Sequence, residues 1–184
     1  MPIFRGFIAV EIKISPKILK IIKDLEKSGA NLKLVKPEKM HITLKFLGDT
    51  EEKLIPKIEE IIKNSVEKIE SFEIKLKNTG VFPNPNYLKV VWIGIENSEK
   101  IKEIAEEIDN KLVKIGFKKE KRKFSAHITI ARVRSSRNKD EILEILNKYK
   151  EEEFLTMKID KIKLKKSELT KKGPIYTTLK EIKI

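Results

Sequence analysis

Two four-residue runs carry the chemistry that this chain offers: His41-Ile42-Thr43-Leu44 and His127-Ile128-Thr129-Ile130. They hold the only 2 histidines of the 184 residues, and each is followed two places on by one of only eight threonines. On a β-strand, residues i and i+2 share a face. Each run therefore presents an imidazole and a hydroxyl together, while its apolar members turn the other way, into a core. Opening a phosphodiester without a metal needs a base for the incoming oxygen and an acid for the departing one. Imidazole serves in either role near neutral pH. Threonine hydroxyls and nearby arginines can meet the charge that grows on the phosphate oxygens. A lone histidine on a half-buried strand reads as structural; packing gives no reason for two in equivalent places. A zinc site would need a third ligand, and the chain has no cysteine and neither a His-x-His nor a His-Glu-x-x-His spacing. No metal and no cofactor are expected.

The elements that must position these runs follow from apolar spacing. Four amphipathic helices are predicted: Pro16–Ser28, Glu51–Ile69, Glu99–Ile115 and Lys139–Tyr149. Pro16 suits a first helical position, Asp49 with Glu52 a capping box, Gly116 a helix end and Asn138 a cap. Strand-like runs cover Ile3–Ile12, Leu32–Val35, His41–Phe46, Phe72–Val81, Tyr87–Ile95, Ala126–Val133, Phe154–Leu164 and Ile175–Ile184. Turns are expected at Pro83–Asn86 and Lys172–Pro174.

The order repeats. Strand, helix, short extended piece, histidine run, helix and two strands occur twice, with the histidines 86 residues apart. This predicts an internal duplication, with halves of approximately 1–95 and 87–184 sharing Tyr87–Ile95. The fold class expected is α+β: one bilobal domain spanning 1–184, two pseudo-two-fold related lobes of mostly antiparallel sheet, helices outside and a central cleft.

Composition narrows the partners. A net charge of +13 suits a polyanion, although a chain that is 38% charged, mostly lysine and glutamate, also matches heat-adapted surfaces. Four of the five arginines (Arg122, Arg132, Arg134 and Arg137) cluster around His127, and the guanidinium fork matches phosphate as lysine does not. No apolar run is long enough to span a bilayer and no signal-peptide pattern opens the chain, so a cytoplasmic protein without membrane contact is expected.

These residues carry a resemblance. The chain resembles the two-histidine (2H) phosphoesterase superfamily, and within it the bacterial and archaeal RNA 2′,3′-cyclic phosphodiesterases, first described as 2′-5′ RNA ligases. The likeness runs through Arg5–Val10, His41–Gly48, Gly80–Pro83, His127–Arg132, Ser167–Thr170 and Gly173–Tyr176. It implies both runs on the floor of a cleft and metal-independent hydrolysis of 2′,3′-cyclic phosphate RNA ends, those of tRNA fragments included, to 2′-phosphomonoesters. It implies His41 as proton donor, His127 as proton acceptor, and Thr43 and Thr129 holding phosphate oxygens. Candidate RNA contacts are Arg132, Arg134, Arg137, Tyr176 and Lys45. On an ideal strand Arg132 shares a face with Ile130 and reaches the cleft only if the strand bends or ends there. Lys45 shares the histidine face and meets either RNA phosphate or solvent. Phe46 shares a face with Leu44 and is expected in the core, while Tyr176 either stacks on a base or packs. Two other functions fit the residues: 2′-5′ ligation by the reverse reaction, and non-catalytic binding of RNA ends. A monomer is expected.

Overall fold

The computed structural model describes residues 1–184. Its strands are β1 (Ile3–Glu11), β2 (Leu32–Leu34), β3 (His41–Glu51), β4 (Phe72–Asn84), β5 (Tyr87–Glu96), β6 (His127–Val133), β7 (Glu153–Ile159), β8 (Lys161–Thr170) and β9 (Gly173–Lys183). Its helices are α1 (Pro16–Lys27), α2 (Ile55–Val66), α3 (Glu99–Val113) and α4 (Lys139–Lys148). The strands form one curled sheet, in the order β7-β4-β5-β6-β3-β1-β8-β9, with β2 added beside β6. Every pairing is antiparallel. None of the helices is long and apolar enough to cross a membrane.

The α+β class is as the sequence predicts. The lobes, however, are not the two sequential halves. Helices α1 and α4 pack on each other and on β2, β7 and β4, whereas α2 and α3 pack on each other and on β9 and β3. Strand β2, from the first half, joins β6, and β7, from the second, joins β4. Each lobe therefore draws on both halves. The apolar helix faces, including Ile18, Ile21 and Leu25 of α1 and Ile101, Ile104 and Ile108 of α3, merge with the sheet in one continuous core.

Several local features depart from the sequence pattern because pairing overrides it. The Asp49–Glu52 capping box does not form, because β3 stays paired with β1 as far as Ile3↔Glu51. A 3₁₀ turn at Glu52–Leu54 follows, and α2 begins only at Ile55. Asn138 precedes α4 in a left-handed conformation, but its side chain makes no cap bond and donates instead to the Ser28 carbonyl, 3.1 Å away. The run Phe154–Leu164 is broken at Asp160 into β7 and β8, which lie far apart in the sheet order. Ser15 does cap α1, accepting from the Ile18 amide.

Candidate active site

The two histidine-bearing strands meet at the middle of the sheet. β3 and β6 touch through a single bridge, Ile42↔Ile128, and both isoleucines are fully buried on the helix-covered face. Their neighbours in each strand must then emerge on the opposite, open face. Carried one residue either way, this antiparallel register sets His41 toward Thr129 and Thr43 toward His127. All four side chains are half-buried, as suits groups lining a cleft floor.

Each imidazole is fixed in the same way. His41 Nδ1 lies 2.8 Å from the Lys39 carbonyl oxygen, and His127 Nδ1 lies 2.7 Å from that of Ser125. Both partners are two residues upstream. A carbonyl only accepts, so Nδ1 carries the hydrogen and donates in both rings. This tautomer leaves each Nε2 free to take up or give a proton.

A bulge follows each threonine, at equivalent places. The β1–β3 register passes from Ala9↔Thr43 to Ile8↔Lys45, leaving Leu44 unpaired. The β5–β6 register passes from Trp92↔Thr129 to Val91↔Ala131, leaving Ile130 unpaired. An extra residue reverses the alternation beyond it. Lys45 and Ala131 therefore enter the core side and are buried, while Phe46 and Arg132 return to the histidine face and are exposed.

Two expectations are overturned by this reversal. Lys45 is no RNA contact: it is 6% exposed and ion-paired with Asp109 at 2.5 Å. Phe46 is not core: it is 66% exposed and pairs with Phe7, whose ring lies 5.0 Å from that of His41. Arg132 turns to the histidine face by the bulge at Ile130. Its positive charge adds to the burial that lowers the pKa of His127 and opposes the burial that raises that of Tyr176. Arg134 and Arg137 stand exposed on the loop after β6.

Aromatic rings set the walls. Tyr176 presents an edge-to-face contact to His41 at 5.5 Å and to Phe7 at 5.0 Å, so it packs against the first histidine. Phe82 does the same for His127 at 5.0 Å and lies 5.3 Å from Trp92. The indole of Trp92 covers Gly80, where a Cβ would come within 2.1 Å of it. Its buried N–H has no partner in the protein, an open donor next to Thr129 in the sheet. Sequence reasoning met Phe82 only within the Gly80–Pro83 stretch of likeness, with no role assigned, and Trp92 only as part of a strand. Their place two strands and one strand from His127 follows from pairing alone.

The charges around the two rings differ. Glu11 faces His41 across the β1–β3 ladder and binds Lys165 at 2.5 Å and Lys163 at 2.7 Å, whereas Gly94 faces His127. Burial lowers the pKa of both imidazoles. The bond to Lys39 opposes this at His41, Lys165 adds to it, Glu11 again opposes, and His127 adds slightly. At His127 the bond to Ser125 opposes burial and the Arg132 charge reinforces it.

The arrangement is that of a family. A family model described as the AKAP7 2′5′ RNA ligase-like domain matches residues 7–184. A Methanocaldococcus jannaschii protein named RNA 2′,3′-cyclic phosphodiesterase is 42% identical, over 96% of this chain and 99% of its own. One of the same name from Methanothermobacter thermautotrophicus is 37% identical over 98% of both chains. Among solved structures, a Thermus thermophilus protein, TT0787, superposes with a TM-score of 0.79 at 24% identity, over 97% of each chain.

Proposed function

The chain belongs to the 2′-5′ RNA ligase-like family of 2H phosphoesterases, and on that premise we propose that it hydrolyses 2′,3′-cyclic phosphate ends of RNA to 2′-phosphomonoesters. Full-length relatives bearing that activity in their names support the reaction. The pair of free Nε2 atoms, each fixed by an Nδ1–H bond to the carbonyl two residues upstream, carries the mechanism.

In this reading water attacks phosphorus while His127 Nε2 accepts its proton. The bond from phosphorus to the ribose 3′-oxygen breaks, and protonated His41 gives its Nε2 proton to that oxygen. The products are a 2′-phosphomonoester and a free 3′-hydroxyl. Thr43 and Thr129 donate to the non-bridging oxygens, and Arg132 offsets the charge that gathers there. Arg134 and Arg137 meet RNA beyond the reacting end, and tRNA fragments with cyclic phosphate ends are among the substrates. The reaction as drawn requires no metal.

His41→Ala and His127→Ala should each slow hydrolysis of a mononucleoside 2′,3′-cyclic phosphate by about two orders of magnitude or more, the scale of a lost acid or base. The double variant should be little worse than either single one, because the two act as a unit. Rates within a few-fold of the wild type for either single variant would remove the mechanism.

A further inference from the structure

Burying an ammonium and a carboxylate is costly, and an apolar pair of the same size often serves stability as well or better. The Lys45–Asp109 pair therefore asks for another reason, and its contacts supply one. Lys45 Nζ also donates to the Lys118 carbonyl at 2.8 Å. The Asp109 carboxylate accepts the Glu120 amide at 3.2 and 3.3 Å. The pair thus ties β3 and α3 to the loop that runs from α3 to His127.

The pseudo-symmetry of the fold explains the need. Ala131, the counterpart of Lys45, is met directly by Leu34 of β2 in a backbone ladder. The segment 86 residues after Leu32–Leu34 is Lys118–Glu120, and it forms no strand. Where one lobe closes the flank of its histidine strand with β2, the other uses the Lys45 and Asp109 side chains to hold a loop there. That loop reads Lys118-Lys119-Glu120-Lys121-Arg122-Lys123, five cations in six residues, all exposed. It is further braced by Lys119 Nζ on Asn110 at 3.0 Å and by the Arg122 amide on Glu120 at 3.2 Å. It runs on to Ser125, whose carbonyl orients His127, and it flanks the part of β3 from which Phe46 projects.

We infer that Lys118–Lys123, held by the Lys45–Asp109 pair, is a binding surface for the phosphate backbone of the RNA upstream of the reacting end. The inference rests on the hydrolytic reading for its substrate. A row of cations on a braced loop that leads into His127 meets successive phosphates without reading sequence, and a mononucleotide on the two histidines is too short to span it. Lys45 and Asp109 are positioning residues in this scheme, acting only through the loop.

The test compares a mononucleoside 2′,3′-cyclic phosphate with a short oligoribonucleotide bearing the same end. Lys119→Ala, Lys121→Ala, Arg122→Ala and Lys123→Ala together should raise KM for the oligonucleotide about tenfold more than for the mononucleotide. They should also flatten the log–log salt dependence of oligonucleotide binding by about three if all four meet phosphate, since each single-strand phosphate contact contributes about 0.7. Equal changes on both substrates, or an unchanged salt slope, would overturn the inference. For the clamp, Lys45→Met with Asp109→Leu keeps the core filled. It should speed hydrogen exchange at the Glu120 amide and cut the preference for the oligonucleotide. An amide that stays protected would overturn the positioning role, and if that variant does not fold the loop variant still decides the surface. If the wild type turns over neither substrate, the hydrolytic reading fails first, and binding of the uncyclised oligonucleotide by the loop variant still reports on the surface.

Discussion

At the scale of single residues, the two imidazoles are alike in their bonding and unlike in their surroundings. Both are held below the ordinary histidine pKa, chiefly by burial, so the free protein near pH 7 carries both mostly neutral. Hydrolysis needs one of them protonated. The pH profile of kcat/KM should therefore be a bell belonging to the coupled pair, with its optimum on the acid side of about 6.5, the unperturbed value. A bound phosphodiester anion favours imidazolium, so the limbs of the kcat profile should lie at higher pH than those of kcat/KM. Rates from about pH 4.5 to 9 on a mononucleoside cyclic phosphate check this, and a kcat/KM optimum above about pH 7 would contradict it. The sign for stability follows. With folded values depressed, the unfolded chain binds more protons, so the contribution of these residues is present above about 6.5 and is lost as pH falls through their folded values.

At the scale of elements, the bulges at Leu44 and Ile130 decide which side chains share the face of the histidines. They return Phe46 and Arg132 to the cleft, one offering a flat apolar ring and the other a cation. An exposed ring beside the reacting centre suits stacking on a nucleobase, an interaction worth about 1–3 kcal/mol. Phe46→Ala should thus raise KM for a nucleoside cyclic phosphate by about tenfold or more at little cost to thermal stability. Arg132→Ala should lower kcat instead, on mononucleotide and RNA alike. A Phe46→Ala variant with unchanged KM and a midpoint lowered by several degrees would mean that the ring serves packing, as unbroken alternation would have it.

At the scale of the whole molecule, the interleaving of the lobes makes the halves dependent on each other. β2 has its partner in β6 and β7 has its partner in β4, so a chain cut after Glu96 leaves unpaired edges and uncovered apolar faces on both pieces. Thermal unfolding should be one cooperative transition, with far-ultraviolet circular dichroism and the fluorescence of the single tryptophan coinciding. Residues 1–96 and 97–184 expressed separately should each be unfolded or aggregated, and folded structure should return on mixing or co-expression. A half that folds alone with native helix content would show the lobes to be independent. The duplication we propose for this chain is consistent with such an exchange of elements: the equivalent bulges and the equivalent Nδ1 bonds repeat at a spacing of 86 residues.

Type and spacing alone were enough for the two histidine runs, the class of fold and most of the elements. Strand periodicity fixes a face locally, and only two histidines were available to choose from. Helix stripes such as Ile18, Ile21 and Leu25 were readable for the same reason, since a helix repeats its own geometry. What lay beyond the fourth residue of each run was not readable. A bulge is set by the neighbouring strand, and from Leu44 onward it exchanges the roles of Lys45 and Phe46. The partners of Lys45 on α3 and the following loop, the rings of Tyr176 and Phe82 against the histidines, and the trading of β2 and β7 between lobes all join residues distant in the chain. Such contacts depend on which strands become neighbours, and that is settled only when the whole sheet closes around one core.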